Sequence, residues 1–111
     1  MVNWPGIIKH ADDDELTYVS DQSVWDNDED LHYIDYDESD YLVDASGNTY
    51  SLTNRPKSLV VPEPRGESKT LQDVLALTKA HAAQKGSCCV AKLYAPDIKE
   101  AFKIVESLNE A

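Results

Sequence analysis

The chain has 111 residues, 41% hydrophobic and 28% charged, which fits one globular domain able to build a core without disulfides or metals. Its net charge of −11 is lopsided: residues 1–54 carry eleven Asp and three Glu against Lys9 alone, whereas residues 55–111 carry seven acids against nine bases. So acidic a half repels phosphate backbones and anionic membranes, which disfavours direct nucleic-acid or membrane binding and leaves a basic partner, a cation or solubility alone.

No apolar run approaches the ~20 residues that span a bilayer. The opening MVNWPGIIKHADDD has no basic segment leading into a long apolar stretch, so no secretory signal is expected. With one Phe and one Met, the six Tyr and two Trp must supply the bulky packing.

In chain order, Trp4-Pro5-Gly6 reads as a rigid turn and residues 7–10 as an edge strand, with Pro5 where it need not donate to a ladder. Asp12, Asp13 and Asp14 form a solvated loop. Residues 15–20 alternate, Leu16 and Tyr18 on one side and Thr17 and Val19 on the other, which is a strand. Ser20 or Asp21 caps a short helix over residues 22–28, with Val24 and Trp25 as its buried anchors. Residues 31–36, LHYIDY, resume the alternation and read as a strand with His32 packed in its middle or at an edge.

Residues 41–52, YLVDASGNTYSL, read as a β-hairpin. Asp44 suits the first position of a type I turn, and Gly47 the fourth, where a left-handed residue forms a bulge. That loop sets Leu42 opposite Tyr50 and Val43 opposite Thr49, apolar, aromatic and β-branched pairs that cross-strand contacts favour. Residues 15–52 then make an antiparallel meander interrupted by a helical turn or two.

From Thr53 the character changes. Pro56, Pro62, Pro64 and Gly66 mark residues 54–69 as loop, with one short edge strand over residues 58–61. Arg55, Lys57, Arg65 and Lys69 make this loop the basic counterpart of the acidic half. It reads as a connection across the sheet, or else as a mobile binding loop. Thr70-x-x-Asp73 then caps a helix whose apolar stripe is Leu71, Val74, Leu75, Thr78 and Ala82, with Gly86 as its stop. His81 falls on the flank of that stripe, at its boundary or in solvent. Residues 88–95, CCVAKLYA, read as a buried strand of the sheet interior. Asp97 caps the last helix, whose stripe is Ile98, Ala101, Phe102, Val105 and Leu108. The fold expected is α+β: an antiparallel sheet of four to six strands with two C-terminal helices packed on one face.

The chemistry is sparse. Cys88 and Cys89 are adjacent, so in a strand they point to opposite sides and are poor partners for a bridge or one metal ion. Two reduced cysteines fit a cytoplasmic protein. No local signature joins either cysteine to His10, His32 or His81, no two histidines have zinc-ligand spacing, and no glycine-rich phosphate loop exists. A non-enzyme without a cofactor is the expectation.

Asp26, Asp28 and Asp30 match the first, third and fifth positions of a calcium loop, and a hard cation takes such oxygens. Leu31 stands where the turn glycine belongs, and Asp37 replaces the closing glutamate, so the same run reads more simply as a solvated acidic turn. Tyr33, Asp35, Tyr36, Asp37, Asp40 and Tyr41 interleave phenols with carboxylates, a surface suited to a basic protein partner. These tyrosines equally fill a core short of Phe, while the aspartates keep the domain soluble. A nucleic-acid mimic, its carboxylates imitating phosphates, is a further alternative.

The opening Trp4-Pro5-x-Ile7-Ile8, followed by Asp14-Glu15-Leu16, resembles a small single-domain bacterial protein family of unknown function. That resemblance implies a bacterial, stand-alone, cytosolic domain and carries over no catalytic or binding residue. The function expected is therefore binding of a basic partner through the acidic, tyrosine-rich half, with divalent-cation binding as the alternative.

Overall fold

The structure is a computed structural model that describes residues 2–53, 59–87 and 90–110. Among these, β1 (Gly6–Lys9), β2 (Leu16–Val19), β3 (Tyr41–Asp44), β4 (Asn48–Ser51) and β5 (Glu63–Ser68) form one antiparallel sheet in the order β2-β1-β3-β4-β5. Two short helices, α1 (Gln22–Asn27) and α2 (Glu29–Tyr33), lie between β2 and β3. After β5 come α3 (Leu71–Gln84), a 3₁₀ turn (Val90–Lys92) and α4 (Ile98–Glu110). This is the α+β fold with two long C-terminal helices that the residue pattern predicts.

Neighbouring residues of a strand face opposite ways, and the sheet uses both faces. Ile7, Leu16 and Val43 enter one apolar cluster with Val74 and Leu75 of α3 and Ala101, Phe102 and Val105 of α4. Ile8, Val19, Leu42, Tyr50 and Leu52 enter a second cluster with Trp25, Leu31, Tyr36 and Val60. Each fully buried Phe, Leu or Ile stabilises by roughly 1.5–3 kcal/mol, so both helical layers are held by burial.

This two-sided core corrects the reading of the first strand. β1 is interior, paired with β2 through Ile7↔Tyr18 and with β3 through Ile7↔Val43. A consecutive apolar pair such as Ile7-Ile8 needs cover on both faces, which an inner strand has.

The hairpin has the expected register, Leu42↔Tyr50 and Val43↔Thr49. Gly47 has φ 87°, and its N–H donates to Asp44 O at 2.9 Å. The Lys69 N–H donates to Gly47 O at 2.7 Å, and a Cβ at Gly47 would lie 2.3 Å from Lys69 O. Only glycine combines that backbone angle with that approach. In α3, Thr70 and Asp73 form the reciprocal capping box, and Gly86 with φ 79° follows the helix end.

Five further expectations change. Residues 31–36 are not a strand: Glu29–Tyr33 is helix, started by the Asp28 carboxylate, which accepts from the Asp30 N–H. The helix brings Leu31 and His32 inward together, which a strand would separate. Residues 63–68, read as loop, are the edge strand β5; an edge tolerates Pro64 and Gly66 because one side of its backbone needs no ladder partner.

Leu59, Val60 and Val61 run outside the sheet, and Ser58 lies outside the described residues. Instead, side chains satisfy Val60: its N–H donates to His32 Nδ1 at 3.1 Å, and its carbonyl accepts from Trp25 Nε1 at 3.2 Å. The strand expected over residues 88–95 is absent from its described part: Val90–Lys92 is a 3₁₀ turn, Tyr94 is exposed, and Ala95 joins the core. Cys88 and Cys89 lie outside the described residues. The segment's described 3₁₀ turn lies against α3 rather than beside a strand, so no ladder partner is offered. Finally, Trp25 anchors α1, whereas Val24, at the neighbouring position of the helix, is exposed.

Candidate protein-binding face

Asp21 caps α1, its carboxylate accepting from the Val24 N–H at 2.9 Å. Asp28 both ends α1 and caps α2. Acidic residues at these positions satisfy free helix N–H groups and suit the helix dipoles, so part of the negative charge is structural. Trp25 and His32 pin the two helices to the sheet. Their rings meet edge to face at 5.0 Å. His32 Nε2 donates to Trp25 O at 2.8 Å, the tautomer required by Nδ1 accepting from Val60. His32 is thus a buried crosslink with both nitrogens engaged, where the residue pattern left it packed or at an edge.

What α1, α2 and their following loop turn outward is carboxylate. All eight Asp and Glu residues from Asp21 to Glu38 are exposed, and none forms an ion pair with a described Lys, Arg or His. The ion pairs among described residues lie elsewhere: His10–Asp40 at 3.5 Å, Lys85–Glu15 at 2.7 Å and Lys103–Glu100 at 3.6 Å. Within the acidic face is a cleft of about 200 Å³ lined by Asp26, Glu29, His32, Tyr33 and Leu59. Tyr33 is 73% exposed.

The six residues expected at a partner surface divide. Tyr33, Asp35 and Asp37 face solvent. Tyr36 is buried, its hydroxyl donating to Leu31 O at 2.8 Å and its ring stacked on His10 at 5.8 Å. Asp40 is buried too, accepting from the Ala11 N–H at 2.7 Å and the Asp37 N–H at 2.8 Å. Burial pushes its carboxyl up, but those two amides and His10 outweigh it and hold the group below the usual carboxylate range. Tyr41 is half-buried beneath Arg65 and Lys69, which sit 5.8 and 5.1 Å from its ring centre. Tyr36 and Asp40 therefore belong to the scaffold, and Tyr41 packs on the opposite side of the sheet, against the cluster of α3 and α4.

Asp26, Asp28 and Asp30 are not gathered as a cation site. Asp26 accepts from Gln22 Nε2 at 2.9 Å, Asp28 caps α2, and among the described residues no three His, Cys, Asp or Glu side chains converge to hold a metal ion.

Two buried polar residues escaped the residue-level reading. His81 is fully buried, and its Nδ1 accepts from the Leu16 N–H at 2.8 Å. Burial, then the nearby Lys85 charge, lowers its pKa. Asp44 is fully buried and accepts four hydrogen bonds, from Asn3 N, Ser46 N, Asn48 N and Tyr50 Oη. Its turn position was visible in the sequence, but the Asn3 contact, 41 residues away, was not.

In fold, the chain is similar to the NMR structure of a protein from Shewanella amazonensis, with a TM-score of 0.68 and 20% identity over 97% of this chain and 90% of that chain. No curated protein matches. Residues 4–105 match the family DUF4144, described as a protein structure with unknown function, and the chain belongs to that family.

Proposed function

We propose that the protein is a non-enzymatic cytoplasmic binding module that docks a basic protein on the outer face of α1 and α2. The carrying observation is the run of eight exposed carboxylates from Asp21 to Glu38 with no cationic partner among the described residues. Clustered like charges oppose compaction, and a partner supplying Lys and Arg relieves that repulsion while the field steers it inward. The helices carrying the charges are held at Trp25 and His32, so docking orders little backbone. No described helix is long and apolar enough to cross a membrane.

The test is retention of lysate proteins by the tagged chain at low salt, beside an Asp26→Asn/Glu29→Gln/Asp35→Asn variant. Lys- and Arg-rich proteins should be retained by the native chain, lost from the variant, and released at ~0.5 M salt, where screening is short-ranged. Equal retention by both chains defeats the proposal.

A further inference from the structure

We propose that the cleft between α1, α2 and Leu59 is a socket for one arginine side chain of the basic partner, an inference that rests on the docking function above. Size comes first. The cleft holds about 200 Å³, below the ~300–1,000 Å³ of small-molecule sites. That is room for one long side chain.

The lining selects its chemistry. Asp26 stands near the end of α1 and Glu29 at the start of α2, so two carboxylates from different helices border one opening. Neither has a described cationic partner. Glu29 and Tyr33 are four residues apart on α2 and share a face. The 73% exposed ring of Tyr33 stands beside the opening with no cation over it among the described residues, whereas Tyr41 is already covered by Arg65 and Lys69. The protein thus satisfies one tyrosine internally and presents another. Leu59 adds an apolar wall for an aliphatic stem.

The floor excludes rivals. Both nitrogens of His32 are used inside the fold, Nε2–H toward Trp25 O and Nδ1 toward the Val60 N–H. The ring is therefore neither a free base nor a metal ligand, and in this tautomer it is uncharged and does not repel a cation. Arginine fits better than lysine. Its planar guanidinium stacks on a phenol ring and forks toward carboxylates at once, while an ammonium is a more strongly hydrated point charge.

The experiment is an NMR titration of the whole chain with a six-residue synthetic peptide carrying one arginine flanked by leucine and serine, beside its lysine counterpart and a tetralysine peptide. The Tyr33 ring and Leu59 methyl signals should move with the arginine peptide, which should bind about threefold or more tighter than the lysine one. Asp26→Asn and Glu29→Gln should each weaken it about fivefold, and Glu38→Gln, outside the cleft, by less than about twofold. Tyr33→Ala should erase the preference for arginine without shifting the unfolding midpoint, because that side chain is exposed. Equal affinity for both peptides, with shifts spread over residues 21–38, overturns the socket and leaves the acidic docking face standing. No binding of any peptide, tetralysine included, overturns both. Tighter binding after Arg55→Ala/Lys57→Ala would make the chain's own bases the occupant and also overturn the socket.

Discussion

Asp44 is where the N-terminal segment and the hairpin meet. Four donors converge on one fully buried carboxylate: three backbone amides at 3.0 Å and the Tyr50 hydroxyl at 2.8 Å. Burial and then the Asp44 contact push the Tyr50 hydroxyl up to about 12, so it stays protonated as a donor throughout the ordinary pH range. Asp44→Ala orphans all four donors and should cost about 3–5 kcal/mol, read as a lower urea midpoint with an unchanged slope. His81 governs a pH dependence. Its neutral Nδ1 must accept the Leu16 N–H, and its pKa lies below the ordinary 6.5. The unfolded chain therefore binds this proton first. Stability from His81 is complete above pH 6.5 and falls as pH drops from there through the folded-state value. Urea midpoints should decline on that side, whereas from pH 6.5 up to the tyrosine range His81 changes nothing. His81→Leu should remove this component at a standing cost of about 1–3 kcal/mol, since the Leu16 amide is left unpaired.

The hairpin and α3 show what local spacing conveys. Their signals lie within a few residues: Asp44 to Gly47 for the turn, Thr70 to Asp73 for the cap, Gly86 for the stop. Two of these glycines differ in kind. Both have positive φ, but a Cβ at Gly86 meets nothing within 4 Å, whereas at Gly47 it runs into Lys69 O. Gly86→Ala should therefore cost about 1 kcal/mol, the backbone term alone. Gly47→Ala should cost about 3 kcal/mol, because the overlap also displaces the Lys69–Gly47 hydrogen bond. Thermal melts of the two variants separate these terms. The misread elements share a reason as well. LHYIDY alternates like a strand, yet Asp28 offers a helix start and the sheet rewards burying Leu31 and His32 together. EPRGES has loop composition, yet an edge position accepts it.

The molecule as a whole divides its charge by layer. α1 and α2 cover one face of the sheet and present unpaired acids. α3 and α4 cover the other, and there Lys85 and Lys103 find Glu15 and Glu100. If the acidic layer is under repulsion, Asp26→Asn/Asp35→Asn/Glu38→Gln should raise the melting midpoint at ~10 mM salt, and the gain should vanish at ~0.5 M, where the charges no longer sense one another. An equal gain at both salts would point to a packing effect instead. Of the proposed face, its charge and Tyr33 were legible as composition. The burial of Tyr36, Asp40 and Tyr41 was not, because the partners His10, Ala11, Arg65 and Lys69 come from other segments.

Turns, helix caps and apolar stripes depend on neighbours within one or two turns of backbone, so the order of residues was enough to specify the hairpin, the two long helices and the α+β class. Burial is a joint property of segments far apart in the chain, such as Leu16 with His81, 65 residues away. For that reason β1's place inside the sheet, the second core under Trp25 and the set of carboxylates left facing solvent emerged only once the layers had packed.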